Sequence, residues 1–351
     1  MKGVTCEKAG AGYKIVDDLE VPEPGPDQIL VKSHYAAINP VDSLMSEKGA
    51  LVKEWPLVPG IDVAGVVEKV GEKASASFKV GDPVCGCTRI GVRGYSACQE
   101  YLLMYASVAM PLPKGVALRQ AATIGVGLFT ASLGLFDGLD IPFPSTSENA
   151  ELKDEWVVVL GGSGSVGKFA IQLLKICGYK VAASCSSNNA SLVKKQGADE
   201  IFDYKTPVSE QIKEILAITK GNVHRVFDAA ATGDELAKEL FKALKEPKFF
   251  SSTNTWSNIA DFDGVRTRVV ELGPIGTPEG EDINGKIRAY LPTLVEMFEK
   301  EILHPSPYDE VGKGGFEDVL DALRYQKKGA GGANKVVVQV QPVEKAGDFL
   351  V

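Results

Sequence analysis

The sequence predicts an α/β protein of two domains, one β-rich and barrel-like, the other a doubly wound parallel sheet. Three observations carry this. A chain of 351 residues is too long for one ordinary core. Its first 120 or so residues are short apolar runs broken by Gly and Pro. From about Ala121 the texture changes to longer helical periods alternating with short apolar strands.

The elements follow in order. Gln28–Ser33, Ala64–Val70 and Tyr101–Met104 read as strands, with turns at Pro24-Gly-Pro26 and Pro59-Gly60. Ala121 to Leu135 reads as a helix leading into the second domain. Asp140–Ala150, rich in Pro, Ser and Thr, reads as an exposed insertion loop. Strand Trp156–Leu160 then leads to helix Val166–Cys177, whose Val166, Ala170, Leu173, Leu174 and Cys177 share one face. Strand Lys180–Ser184 leads to helix Asn189–Gln196, ended by Gly197. Strands Glu200–Phe202 and Arg225–Phe227 flank a helix near Ser209–Ile218. Helix Asp234–Leu244 precedes Lys248-Phe-Phe250, Val265–Leu272 is the last strand, and Lys286–Lys300 is a helix. The run Lys335–Val340 is a lone strand that either closes the parallel sheet or returns to the β-rich domain.

Composition is that of an ordinary soluble globular protein, 44% hydrophobic and 24% charged. The formal charge of −8, with no basic run beyond the pairs Lys194-Lys195 and Lys327-Lys328, argues against nucleic acid as partner. No apolar run approaches the roughly 18 residues of a membrane span. Polar residues follow Met1-Lys-Gly-Val-Thr-Cys6 where a signal peptide would carry an apolar core. A cytoplasmic protein with six free thiols is expected.

The most informative stretch is Val157-Val-Val-Leu-Gly-Gly-Ser-Gly-Ser-Val-Gly167. It is a strand, a glycine turn and a helix start, the arrangement that seats a pyrophosphate on a helix N-terminus. Gly161 and Gly162 permit the turn, Gly164 lets backbone approach phosphate, and Gly167 lets helix pack on strand. No Asp or Glu occurs between Glu155 and Asp199. The acid that holds an unphosphorylated ribose about 20 residues on is therefore absent. In its place stands Ser184-Cys-Ser-Ser-Asn-Asn189, whose hydroxyls and amides can donate to a phosphate. This predicts a nicotinamide cofactor with the 2′-phosphate, NADPH. The Arg usual for that phosphate is missing too, leaving Ser186, Ser187 and Asn189, with Lys194 or Lys195 as the charge.

Four segments resemble the medium-chain dehydrogenase/reductase superfamily, in its zinc-free quinone and enoyl reductase branch. They are Ala36-Ala-Ile-Asn-Pro-Val-Asp42, Pro59-Gly-Ile-Asp-Val-Ala-Gly-Val-Val-Glu-Lys-Val-Gly71, Val80-Gly-Asp-Pro-Val-Cys-Gly86 and the glycine turn. The resemblance implies a GroES-like β domain from both chain ends, 1–125 and 302–351, around a Rossmann NADPH-binding domain at 126–301. It would send Lys335–Val340 back to the first domain. Within that branch the chain is most similar to the trans-acting enoyl reductases that partner polyketide synthases. Asp140–Ala150, Ser184–Asn189, Glu200-Ile-Phe-Asp-Tyr204 and Glu271-Leu-Gly-Pro-Ile275 carry this closer match.

That likeness implies cofactor contacts from Val41, Asp42 and Ser43 beside the nicotinamide, and from Ser163, Gly164, Ser165 and Val166 at the pyrophosphate. Ser186, Ser187, Asn188 and Asn189 with Tyr204 would hold the 2′-phosphate and adenosine. Leu272 and Gly273 match a further cofactor-side loop, and Val337 and Val338 a C-terminal strand. In one departure, Leu44 stands where those reductases tend to carry Lys.

Zinc alcohol dehydrogenases hold their catalytic ion with three protein ligands. Their pattern has Cys where this chain has Asn39, His at Ile61 and Cys near Gly125–Gly127, so no metal is expected. Cys85, Cys87 and Cys98 read as buried thiols, and His34, His224 and His304 as structural. An alcohol must lose its proton before giving up hydride, and zinc supplies that acidity. Without it the easier reaction is hydride addition to the β-carbon of an α,β-unsaturated carbonyl, free or carrier-bound. The catalytic candidates are Thr130, which matches a pocket-lining position, Asn39, and Asp42, which either relays a proton or fixes the Asn39-Pro40 turn. Tyr95 and Tyr101 read as core, and the proton donor is unassigned. A quinone reductase of the same fold and a non-catalytic NADPH-binding protein are the alternatives. The expected partners are the small or carrier-bound substrate and a polyketide synthase. The expected assembly is a monomer or homodimer.

Overall fold

A computed structural model describes residues 1–144, 150–246, 248–256, 259 and 262–343. The chain divides into two compact units, Met1–Val126 with Leu272–Val351, and Gly127–Glu271.

In the first unit the long strand Gln28–Ile38 lies between Lys335–Gln339, Asp62–Val70 and Tyr101–Tyr105, all antiparallel to it. Pro83–Cys87, Met110–Pro111 and Tyr308–Glu310 extend the sheet. Gln28–Ile38 is buried along nearly its whole length, which is why it lacks a clean alternation of apolar and polar residues. Helix Phe316–Lys327 sets Val319, Ala322 and Leu323 against Val31, Val336 and Val338 in one apolar cluster. Of the two placements open to Lys335–Val340, the structure takes the first-domain sheet: Val337 pairs with Ala37 and Val338 with Ala36.

The second unit is a six-stranded, wholly parallel sheet. Its spatial order is Glu200–Asp203, Lys180–Cys185, Trp156–Leu160, Val223–Asp228, Phe249–Ser252, Arg266–Val269. That is the doubly wound order, in which ligands bind outside the carboxyl ends of the strands where the direction of winding reverses. The predicted βαβ alternation is therefore observed. Phe129, Phe169, Phe227 and Phe250 are almost fully buried, each contributing about 1.5–3 kcal/mol by leaving water.

Three expectations are corrected. The helix expected over Ala121–Leu135 runs Gly125–Ser132 and continues as a wider π-turn, Leu133–Gly138. Gly134 and Gly138 lie so close to the Phe227 ring and Ser251 Oγ that a Cβ would sit 2.3 Å from each. The second break between units falls at 271/272, not 301/302. The reason is packing: Lys114 N–H donates to Glu299 Oε1 (3.2 Å), tying helix Glu281–Glu299 to the first unit, and a Cβ on Gly276 would stand 2.5 Å from the Tyr105 ring. Helix Pro40–Lys48 is also present, where no helix was expected. Of the insertion loop Asp140–Ala150, residues 145–149 lie outside the described residues, and 141–144 and 150 form no helix or strand. All six cysteines are free and buried. No helix among the described residues is long and apolar enough to cross a membrane.

Candidate functional site

In the second unit, Gly161 ends its strand at φ +82° and its N–H donates to Ser184 Oγ at 2.8 Å. Gly162 N–H donates to the Ser184 carbonyl, also at 2.8 Å. The first serine of the neutral run is thus spent on holding the turn. Gly164 precedes helix Ser165–Ile176, and the first N–H groups of a helix have no intrahelical partner. A Cβ on Gly167 would lie 2.2 Å from the Gly161 carbonyl oxygen, so only glycine lets the helix come this close. One on Gly164 would meet nothing nearer than 3.4 Å, since that face is open. Ser165 Oγ is buried with no hydrogen-bond partner, and Ser163 and Val166 are half-buried beside it. Donors without acceptors at a glycine-lined helix start fit a pyrophosphate.

The strand ends beside this turn carry the rest of the predicted cofactor residues. Ser186 is buried, Ser187 and Asn188 are exposed, and Asn189 is half-buried with its N–H on the Ser186 carbonyl. Asp203 pairs in register with Cys185, which brings Tyr204 to the same edge, 53% exposed. That ring is open to stacking. The first acids after the gap are committed elsewhere: Asp199 to Lys175 at 2.8 Å and to Val181 N–H at 2.7 Å, Glu200 to Lys194 at 3.1 Å. Lys194 also bonds the Asp199 carbonyl, so it too is committed elsewhere. Thr130 is buried on the helix that passes this turn, three residues beyond Gly127, where a Cβ would stand 2.4 Å from Ser165 Oγ.

In the first unit the predicted nicotinamide-side residues cluster around the start of helix Pro40–Lys48. Val41 and Ser43 are half-buried, and Ser43 Oγ donates to Gln326 Oε1 at 3.0 Å. Asp42 is wholly buried, its Oδ2 accepting Asn39 N–H (2.8 Å) and its Oδ1 accepting Gly60 N–H (2.7 Å). Of its two readings, this geometry is the one that fixes the turn. Leu272 is buried, Gly273 exposed, and the Val337 and Val338 side chains are wholly enclosed.

Burial pushes the Asp42 carboxyl from 3.8 up to about 6; the two N–H bonds oppose this and Asp62 adds to it. A carboxyl raised in the native state lends stability that is full below its unfolded value and is lost as pH rises through the folded one. The window is pH 4 to 6. Between pH 4 and pH 7 the wild type should lose about 2 kcal/mol relative to Asp42→Asn, since each tenfold rise in proton affinity on folding is worth about 1.4 kcal/mol and a little is already lost at pH 4. Thermal unfolding of both proteins across that range checks it; parallel curves would refute it.

Asp62 and Lys335 were not foreseen. Lys335 Nζ sits 2.7 Å from Asp62 Oδ2, with side-chain exposures of 4% and 0%. Asp62 Oδ2 accepts Asn39 Nδ2 at 3.0 Å and its Oδ1 accepts Val126 N–H at 2.6 Å, while Lys335 Nζ also reaches Asn39 Oδ1 at 2.5 Å. One carboxylate therefore gathers Asn39, the Ile61-Asp62 step and the Gly125-Val126 step. These are the three places where the zinc pattern has its ligands, and an internal ammonium group stands among them. Among the described residues no group of three or more His, Cys, Asp or Glu side chains is arranged to hold a metal ion. Burial pushes the Cys85 thiol up to about 12, and that of Cys87 well above its ordinary value. The signal for the pair was a charge inside a run that must be buried: Asp62 in Val58–Val67, Lys335 at the head of Val336-Val-Val338.

Residues 25–114 match the alcohol dehydrogenase GroES-like domain family and residues 165–246 the zinc-binding dehydrogenase family. The trans-enoyl reductase traG of Penicillium crustosum is 36% identical over 66% of this chain; the match spans 64% of its own length. A zinc-type alcohol dehydrogenase-like protein of Schizosaccharomyces pombe is 36% identical over 97% of this chain and 100% of its own. The crystal structure of the JamJ enoyl reductase in its apo form superposes with a TM-score of 0.75 at 22% identity, over 97% of this chain and 100% of that one. The chain belongs to the medium-chain dehydrogenase/reductase superfamily, in the branch that holds the trans-enoyl reductases.

Proposed function

We propose that the protein is an NADPH-dependent, zinc-independent enoyl reductase, acting on the C=C bond of an α,β-unsaturated carbonyl that is free or borne on a polyketide synthase. The observation that carries this is the Asp62–Lys335–Asn39 network. It spans the three zinc-ligand positions with a charge pair of the protein's own, so nothing there would ionise an alcohol. An acceptor that is already electron-poor needs no such ion. The trans-enoyl reductase relatives support this substrate class.

When bound, the cofactor supplies a hydride to the β-carbon, leaving an enolate. The chain's part is to hold and orient. The turn Gly161–Val166 takes the pyrophosphate, with Ser165 Oγ as an added donor. Ser186, Ser187, Asn188 and Asn189 take the 2′-phosphate, Lys195 supplies charge, and Tyr204 stacks on the adenine. Thr130 donates to the carbonyl oxygen as charge develops there, and solvent protonates the α-carbon.

Two measurements test the reading. With NADPH, turnover of a medium-chain enoyl thioester should exceed that of a quinone; faster quinone turnover would name the other reductase, and no oxidation of NADPH in either case would favour a binding protein. Separately, Ser186→Asp puts a carboxylate where the phosphate would lie. It should shift the ratio of kcat/KM for NADPH over NADH downward by at least about tenfold, or about 1.4 kcal/mol. An unchanged ratio would place the phosphate elsewhere.

A further inference from the structure

We propose that Asp62 and Lys335 are positioning residues for hydride transfer, holding the loop beside the nicotinamide, and not merely a structural ion pair. The proposal rests on the reductase reading above. Asn39 is the link. Its Nδ2 donates to the Ala37 carbonyl (3.1 Å) and to Asp62, and its Oδ1 accepts from Lys335. With both N–H groups and its oxygen engaged within the protein, Asn39 acts through placement. It caps helix Pro40–Lys48, whose first turn carries Val41, Asp42 and Ser43.

At the other end, Lys335 begins the strand that carries Val337 and Val338, and those two pair with Ala37 and Ala36 just ahead of Asn39. One buried pair thus ties the segment assigned to the nicotinamide, Val41–Ser43, to the strand that carries two further cofactor-side residues, Val337 and Val338. A paired charge withdrawn from water is seldom a net gain over apolar residues of the same size. What it does supply is direction: the ammonium and carboxylate accept only a narrow range of Asn39 positions. Hydride transfer demands that the reacting carbons be held close and aligned, and a misplacement of about 1 Å can cost about 100-fold.

The test is the double variant Asp62→Asn/Lys335→Met, which removes both charges and keeps an acceptor for the Val126 N–H. Its affinity for NADPH should stay within about twofold, since the pyrophosphate turn belongs to the second unit. With an enoyl thioester, kcat should fall about 10- to 100-fold while KM changes little. The fluorescence emission of bound reduced nicotinamide should shift, because the ring loses its fixed surroundings. Asn39→Ala, which leaves the ion pair and cuts its tie to the loop, should show the same fall and the same shift, and decides the matter if the double variant does not fold. Wild-type kcat together with wild-type emission in either folded variant overturns the proposal. Should the wild type reduce neither enoyl nor quinone, the activity reading fails by itself. The emission then still decides the positioning role: a shift supports it, and no shift overturns it.

Discussion

Alanine at Gly167 is expected to abolish useful cofactor affinity and to destabilise the second unit. Its Cβ would stand 2.2 Å from the Gly161 carbonyl oxygen and 2.9 Å from both the Gly161 carbonyl carbon and Gly162 Cα. All three are backbone atoms, so no rotamer change relieves the clash. Either the helix backs away from strand Trp156–Leu160, or the turn reopens. The first loses packing around Phe169 and Leu173, which are completely buried. The second breaks the bonds from Gly161 and Gly162 to Ser184. Overpacking of this kind costs about 1–3 kcal/mol or more. The pyrophosphate donors move with the turn, so the Kd for NADPH should rise by well over about tenfold. Gly164→Ala is the control. Gly164 has φ −69°, which any residue adopts, and its Cβ would meet only one atom, at 3.4 Å. That variant should unfold with the wild type yet bind cofactor weakly, because the methyl group fills the face the phosphates need. Thermal unfolding and cofactor titration of both variants separate packing from binding; if Gly164→Ala binds normally, the pyrophosphate does not lie on this turn.

The second unit was legible in the sequence because its signals are local. A strand, a glycine turn and an amphipathic helix are contiguous, and the missing acid is counted along the chain from them. The parallel sheet followed from the alternation of elements; the order of its strands was read only in the structure. Pattern alone could not place Lys335–Val340, since a wholly buried apolar strand reads the same in a parallel or an antiparallel sheet. It left the boundary at 271/272 unseen, because the contacts of Glu299 with Lys114 and of Gly276 with Tyr105 are a matter of tertiary packing, not of composition. The π-turn Leu133–Gly138 was not legible either, since Gly134 and Gly138 pack against Phe227 and Ser251, residues about a hundred positions away. The Asp62–Lys335 pair is the extreme case: each charge stands out locally in a run that must be buried, but its partner lies most of the chain away, so the pairing itself has no local signal.

That pair also sets the largest stability effect expected in the first unit. Lys335→Met leaves the Asp62 carboxylate enclosed, 0% exposed, with neutral donors from Asn39 and Val126 and no counter-charge. Removing one partner of such a pair costs about 3–5 kcal/mol, because the remaining ion has lost both its water and its counter-ion. Adding Asp62→Asn removes that ion. The new amide keeps an oxygen for the Val126 N–H, and Asn39 Oδ1, released from Lys335, can turn to accept from its nitrogen. Most of the loss should then be recovered, leaving the double variant within about 1–2 kcal/mol of wild type, the worth of the hydrogen bonds that do not re-form. The second substitution therefore restores stability where simple addition of two damaging changes would remove more, and a double-mutant cycle in denaturant reads that coupling directly. Additive losses would mean that water reaches Asp62 in solution and that the two charges do not depend on each other.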